Sequence, residues 1–294
     1  MNLRIQGILV LLLVSEVFAY AQGIRNVGGE YLYYADPDMS PKAAKAAAIE
    51  NARIQSIAAE FGTLILHQTD QQDNLQNENE SSFFMQLSTA EVKGEWIEDS
   101  KDAECEFVEM LPDGMCVYRA RVYGKARAIS NESPEFLSNC LKNGTTEKYA
   151  DTSFRDGDDL FVSFRSPVDG YLAIYLVDQS NQAFCLLPYS DDLDGQYRVR
   201  RNKDYVFFSE AHADAEDVTY VDELVMKCDG EYEERNQLYV IFSPNAFTKA
   251  VDGQITEDLP RQLSYPVFQT WLSRCRRRDT KMGVKVFLLK IQKK

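Results

Sequence analysis

The sequence predicts an α+β protein, with an N-terminal helix-on-antiparallel-sheet domain followed by an antiparallel β-sandwich with one late helix. Three observations predict it. One long alanine-rich segment, residues 41–61, repeats with the 3.6-residue period of a helix. The segments after it alternate apolar and polar residues, as strands with one wet face do. The second half strings short apolar runs between turn residues, which is the pattern of a sandwich. At 294 residues and 45% hydrophobic content, the chain is long enough for two domains and too apolar for wholesale disorder.

Residues 1–21 read as a signal peptide. Arg4 supplies a positive region, residues 8–14 are an unbroken apolar run, and Ala19-Tyr20-Ala21 has the small-x-small pattern cut by signal peptidase. The run is shorter than the about 20 residues that a spanning helix needs. No later segment is long and apolar enough to cross a membrane. The mature chain is therefore expected to be soluble and exported, in the periplasm or outside the cell.

The first domain is assigned to residues 22–130. A strand centres on residues 30–34. Ser40-Pro41 then starts a helix, the hydroxyl capping free backbone N–H groups and the proline losing nothing at the first turn. The helix is expected over Pro41–Phe61 with a stop at Gly62, and Ala43, Ala47, Ile54, Ala58, Phe61 and Ile65 fall near one face. Residues 68–82, rich in Asn, Gln and Asp, read as a long loop. Ala90, Val92, Gly94 and Trp96 then alternate with Glu91, Lys93 and Glu95, so the glutamates are expected on the wet face of a strand.

A hairpin follows. A two-residue turn at Pro112-Asp113 sets Glu106 opposite Arg119, Glu104 opposite Arg121 and Cys105 opposite Ala120, pairs whose opposite charges favour that register. The same register argues against a Cys105–Cys116 disulfide.

Residues 131–152 are polar and turn-rich and are assigned as a linker, with Asn131 and Asn143 in glycosylation sequons. The second domain is assigned to residues 153–294. Leu160, Val162 and Phe164 alternate, and residues 171–177 are nearly all apolar, as in a strand covered on both faces. Residues 179–182 turn the chain back into a strand at 184–187. Further strands are expected at 205–208, 238–242 and 284–291, with a helix carrying Phe268, Trp271 and Leu272 before the last.

Two resemblances accompany this reading. Gly157-Asp158, Gly170-Tyr171-Leu172 leading to Val177-Asp178, Leu186-Leu187-Pro188, Phe242-Ser243-Pro244 and Phe268-Gln269-Thr270-Trp271-Leu272 resemble the bacterial domain-of-unknown-function family numbered 4384, over residues 153–294. Members of that family are often joined to other modules, including caspase-like peptidases and kinases, which implies sensing or docking; the family carries no established catalytic residues. The alanines of residues 44–62 and the strand Tyr118-Arg119-Ala120-Arg121-Val122 resemble the N-terminal domain of the flagellar T-ring protein FlgT and the Helicobacter antigenic-lipoprotein type. That resemblance implies a role in envelope assemblies, by contact.

Composition narrows the function. A formal net charge of -14 repels nucleic acid and anionic lipid. The basic run Arg274, Arg276, Arg277 and Arg278 reads as the solvated end of a helix rather than a phosphate site. Six cysteines at 105, 116, 140, 185, 228 and 275 form no CxxC pair, and with only two histidines, His67 and His212, a zinc site is not expected.

Cys185 with His212 would be the pair for a cysteine hydrolase, but a buried cysteine acting as an apolar residue is the simpler reading. Residues 190–195 resemble half a calcium loop. Ser190 at the first position and Arg201 at the twelfth break the EF-hand pattern, leaving Asp192 and Asp194 as a looser ion site or a solvated turn. Tyr31, Tyr33 and Tyr34 are candidates for a binding surface.

No catalytic, cofactor-binding or metal-binding residue is assigned, and no cofactor is expected. The expected function is an exported, non-enzymatic bacterial envelope protein acting as an interaction or scaffolding module on another envelope protein or a glycan. The alternatives are a small-ligand or calcium-binding periplasmic protein using residues 191–194, or a cysteine-dependent hydrolase.

Overall fold

The computed structural model describes residues 23–64, 87–129, 132–189, 197–213, 221–247 and 261–294. The signal-peptide assignment, Ile65, His67, the loop at 68–82, Asn131 and the Asp191–Asp194 loop lie outside these residues. The architecture is α+β, as the sequence predicts.

In the N-terminal half, β1 (Arg25–Ala35) leads to α1 (Pro41–Phe61), then β2 (Gly94–Asp99), β3 (Glu104–Met110) and β4 (Cys116–Ala128). The long strand β4 is central: β1 pairs along one edge, and β2 and β3 pair with it as well. Helix α1 starts as expected, with the Ala43 N–H donating to Ser40 Oγ at 3.3 Å. It stops at Gly62, whose φ of 82° is a conformation that suits glycine.

The buried face of α1 is Ala44, Ala48, Ala52, Ile54, Ser56 and Ile57, while Ala43 is exposed. The predicted stripe is thus one residue out of phase in its first half, at Ala43 and Ala47, and holds in its second, where Ile54 is buried and Ala58 and Phe61 pack beside it. Alanine occupies so many positions that it cannot set the phase; Lys42, Lys45 and Glu50, which all face water, do. The methyl groups of Ala44, Ala48 and Ala52 pack with Tyr33, Tyr118, Ala120 and Val122.

The hairpin register holds at Glu104–Arg121, Cys105–Ala120 and Glu106–Arg119. The turn is one residue longer than expected, with the Leu111 N–H donating to Met115 O. A bulge between Phe107 and Glu109 absorbs the extra residue. Glu30 on β1 completes the charge ladder, reaching Arg121 at 2.6 Å and Arg119 at 3.4 Å.

The C-terminal half runs β5 (Leu137–Lys142), β6 (Ser153–Arg155), β7 (Asp159–Arg165), β8 (Gly170–Val177), β9 (Gln182–Leu187), β10 (Tyr197–Val199), β11 (Tyr205–Phe207), β12 (Leu224–Val225), β13 (Glu233–Ser243), β14 (Arg261–Ser264), α2 (Tyr265–Arg278) and β15 (Gly283–Gln292). One sheet has the order β14-β9-β8-β13-β15-β6, with β10 also on β8. The smaller sheet gathers β5, β11 and β12 around β7. Among the described residues all strand pairs are antiparallel except β15 with β6.

Strand β5 corrects the linker assignment. Residues 137–142 pair with β7 from Arg165 to Leu160, so this part of the 131–152 segment belongs to the sandwich.

The sandwich core lies between the sheets, where Leu160, Val162 and Phe164 of β7 meet Leu172, Ile174, Val240 and Leu289. The other face of the large sheet packs against α2 through Tyr175, Tyr239, Ile241, Phe268 and Leu272. Leu64 and Ala90 from the N-terminal half join this second cluster, which brings the two halves into contact.

Candidate functional site

The seam between the halves is built by a turn at residues 88–91. The Glu91 N–H donates to Ser88 O at 3.0 Å, and the Ser88 N–H donates back to Glu91 Oε2 at 2.7 Å. This shares one bond with a capping box, the Glu91 carboxylate reaching back to the Ser88 N–H, but the second acceptor is the Ser88 backbone carbonyl, as in a turn. It ends the strand reading of residues 90–93: β2 begins only at Gly94, and Glu91, expected on a wet face, is fully buried.

Glu91 enters a cage from the C-terminal half. The Tyr239 hydroxyl lies 2.5 Å from Glu91 Oε1, and the Tyr265 hydroxyl lies 3.2 Å from the same atom. The two hydroxyls are 2.9 Å apart, and Gln237 Oε1 is 2.9 Å from that of Tyr239. Burial pushes the Glu91 carboxyl above its ordinary range, and hydrogen bonds from Tyr239 and the Ser88 N–H offset part of that rise. Burial also raises both tyrosines, so they remain protonated donors.

Arg276 closes the seam. Its Nη1 donates to the carbonyls of Ala90 and Val92. The residue is 5% exposed, and burial pulls its guanidinium down to about 10, so it is still a cation at neutral pH. The sequence placed it on a solvated helix end. Arg274, Arg277 and Arg278 are exposed there, but the α2 period turns Arg276 inward.

Beside the seam opens a cleft of about 370 Å³. Glu50, Arg53 and Ile57 of α1 and Gly94, Glu95 and Trp96 of β2 form one wall. Thr270, Ser273 and Arg277 of α2 face them, above Val92 and Arg276. Arg53 Nη2 contacts Asp99 Oδ2 at 2.6 Å and its guanidinium lies 5.8 Å from the Trp96 ring centre. Trp96 Nε1 donates to Asp99 Oδ1 at 3.0 Å, and Glu95 pairs with Arg127 at 2.9 Å. Arg53 Nε is buried without a hydrogen-bond partner. The cleft thus has fixed charges, hydroxyls and apolar surface, the composition of a recognition site.

The other sequence candidates do not assemble. Cys185 packs on the α2 side of the large sheet, with its Sγ 3.4 Å from Leu187 O. His212 follows β11 in the small sheet, its Nδ1 3.0 Å from Ser209 Oγ, and the neighbouring Phe207 and Phe208 belong to the core on the opposite face. Tyr33 is buried against α1, whereas Tyr34 is exposed on the sheet's open face. Asn143 uses its amide within a turn, donating to Asp158 Oδ1 at 2.9 Å. Among the described residues no three His, Cys, Asp or Glu side chains are placed to hold a metal. No helix among them is long and apolar enough to cross a membrane.

Sequence reasoning missed Glu91, Tyr239, Tyr265 and Arg276 as a group. One signal for Glu91 was present: Ser88-Thr-Ala-Glu91 has the capping-box spacing. No protein-family model, curated protein or solved structure matches this chain.

Proposed function

We propose that this chain is an exported, non-enzymatic bacterial envelope protein that acts as an interaction or scaffolding module. The observation that carries the reading is the open cleft. Its charged side chains come from both halves, as in recognition, and the buried Glu91 carboxyl beside it is sealed inside the seam by Tyr239. The leader-like residues 1–21 and the resemblances to the 4384 and FlgT-type domains support the location and the contact role.

The cysteines fit the same reading. All six are thiols. Four are buried, and burial pushes Cys140 far up, so it stays protonated and inert. The register sets the half-buried Cys105 and Cys116 opposite Ala120 and Met110, not each other. The separation of Cys185 from His212 by the large sheet speaks against the hydrolase alternative.

The test is affinity capture from an envelope extract, with the purified chain as bait. A specific envelope protein or glycan, competed by excess untagged chain, is the expected result. Capture of nothing specific in repeated extracts would reject the module reading.

A further inference from the structure

We propose that the cleft between α1, β2 and α2 binds a small organic monocarboxylate. Its anionic end meets Arg276 and Arg277, and its body lies along Trp96, Ile57 and Val92. This inference rests on the reading of the cleft as a recognition site.

The charge balance of the cleft is the first argument. Arg276 is a buried cation whose hydrogen bonds go to two neutral carbonyls, and no carboxylate among the described residues pairs with it. Burial is the cause of its depressed basicity. A buried cation without a counter-ion is costly, and an anion in contact with it relieves that cost. Arg277, the next residue, is exposed on the same wall and likewise pairs with no carboxylate among the described residues. Arg53 Nε adds a buried donor with no acceptor. Arg276 and Arg277 therefore line one cleft with no carboxylate partner among the described residues, beside an Arg53 already engaged by Asp99 and Glu50, and Arg forks match a carboxylate in shape.

The rest of the lining selects the anion. Glu50 and Glu95 stand on the α1–β2 wall. Glu95 is neutralised by Arg127, but Glu50 meets Arg53 only at 3.5 Å and is half exposed, so its field opposes a doubly charged phosphate more than a singly charged carboxylate. Ile57, Val92, Ile129 and Trp96 offer apolar contact, and Thr89, Thr270 and Ser273 offer hydroxyls. A space of about 370 Å³ suits a compact body, such as one sugar or one aromatic ring with its substituents. Sugar acids and aryl carboxylates share this chemistry.

The experiment titrates the purified chain with D-glucuronate and with benzoate, followed by calorimetry and by tryptophan fluorescence. Trp96 lines the cleft, while Trp271, the second of two tryptophans, is buried in the α2 cluster. At least one carboxylate should bind saturably and shift the Trp96 signal. Glucose and benzyl alcohol, its uncharged counterparts, should not, and inorganic phosphate should bind at least about tenfold more weakly. Arg277→Ala should weaken carboxylate binding by about tenfold or more, with the unfolding midpoint unchanged because the residue is exposed and supports no packing. Arg277→Lys should recover part of the affinity.

Absence of saturable binding by both carboxylates up to about 10 mM overturns the proposal. So does equal binding of the uncharged counterparts, or an affinity untouched by Arg277→Ala; phosphate binding as tightly overturns the carboxylate assignment. Glucuronate or benzoate binding by a chain that captures no envelope partner supports this inference while rejecting the scaffold reading. Capture of a partner without carboxylate binding does the reverse.

Discussion

Tyr239→Phe should destabilise the protein by an amount that depends on pH. The substitution removes one oxygen and keeps the ring, whose centroid stands 5.0 Å from that of Phe268, so no sizeable cavity forms. The lost hydroxyl touches Glu91 Oε1 at 2.5 Å, Gln237 Oε1 at 2.9 Å and the Tyr265 hydroxyl at 2.9 Å, all buried. Where Glu91 is protonated, the loss is that of a neutral hydrogen bond, about 1 kcal/mol; where it is ionised, a charged acceptor loses its best donor, about 2–3 kcal/mol. The sign of the pH effect follows from Glu91. Its folded-state carboxyl is held above the ordinary range, so the fold favours the protonated form. Stability is full below the ordinary carboxylate range and declines as pH rises toward the folded-state value. Because the Tyr239 bond lowers that value, Tyr239→Phe raises it further and extends the decline to higher pH. Urea denaturation followed by tryptophan fluorescence should give a loss of about 1 kcal/mol near pH 4 and a larger loss, up to about 2–3 kcal/mol, at a pH above the folded-state value of Glu91. An equal loss at both pH values, or a loss below about 0.5 kcal/mol at both, refutes the assignment of the seam as a buried, hydrogen-bonded carboxyl cage.

Glu233 should behave oppositely. Lys290 at 2.7 Å and Arg235 at 2.8 Å hold its carboxyl below the usual range against a desolvation that raises it, so Glu233→Gln should cost stability at neutral pH and nothing in acid. Solvent screens the group, and urea titration at pH 7 should find a cost of no more than about 1 kcal/mol. Gly94→Ala should lower the melting temperature through a loss of about 1–3 kcal/mol. Its new methyl group would stand 2.5 Å from both Ile57 Cγ2 and Phe61 Cδ2, so α1 must lift from the sheet. Iodoacetamide under native conditions should label Cys105 and Cys116 well before Cys140, Cys185, Cys228 and Cys275; rapid mass-spectrometric labelling at Cys185 would reopen the hydrolase reading.

The elements legible in the sequence were those whose own residues decide their state. Helix α1 carries its cap, its proline and its stopping glycine, and the hairpin carries two Glu–Arg pairs that fix register. Strand β5 was missed because its residues do not alternate cleanly: Leu137 is 63% exposed while Ser138 is 5% exposed, and Cys140 and Leu141 are buried side by side, so the pairing with β7 marks it as a strand. The seam was illegible for a related reason. Glu91 reads as a wet residue until Tyr239 and Tyr265, nearly 150 residues or more away, supply the hydroxyls that permit its burial. Arg276 sits among three other arginines, and the α2 period places it on the buried face where residues 90–92 dock, which its charge disguises in the sequence.

That docking also explains why the cleft and the seam belong to one device. An apolar seam would bury area but tolerate sliding. Residues 88–92 instead present one carboxyl and two backbone carbonyls to partners at fixed positions on β13 and α2, so any shift leaves buried polar groups unpaired at about 1–3 kcal/mol each. Arg276 takes part in both structures: Nη1 holds the Ala90 and Val92 carbonyls, and the same guanidinium floors the cleft. A ligand that contacts Arg276 therefore binds only the docked arrangement of the halves. By linkage, such a ligand at ten times its dissociation constant would add about 1.4 kcal/mol to that arrangement. Occupancy of the cleft thus sets how firmly the N-terminal sheet, with its open charged face, is held against the sandwich.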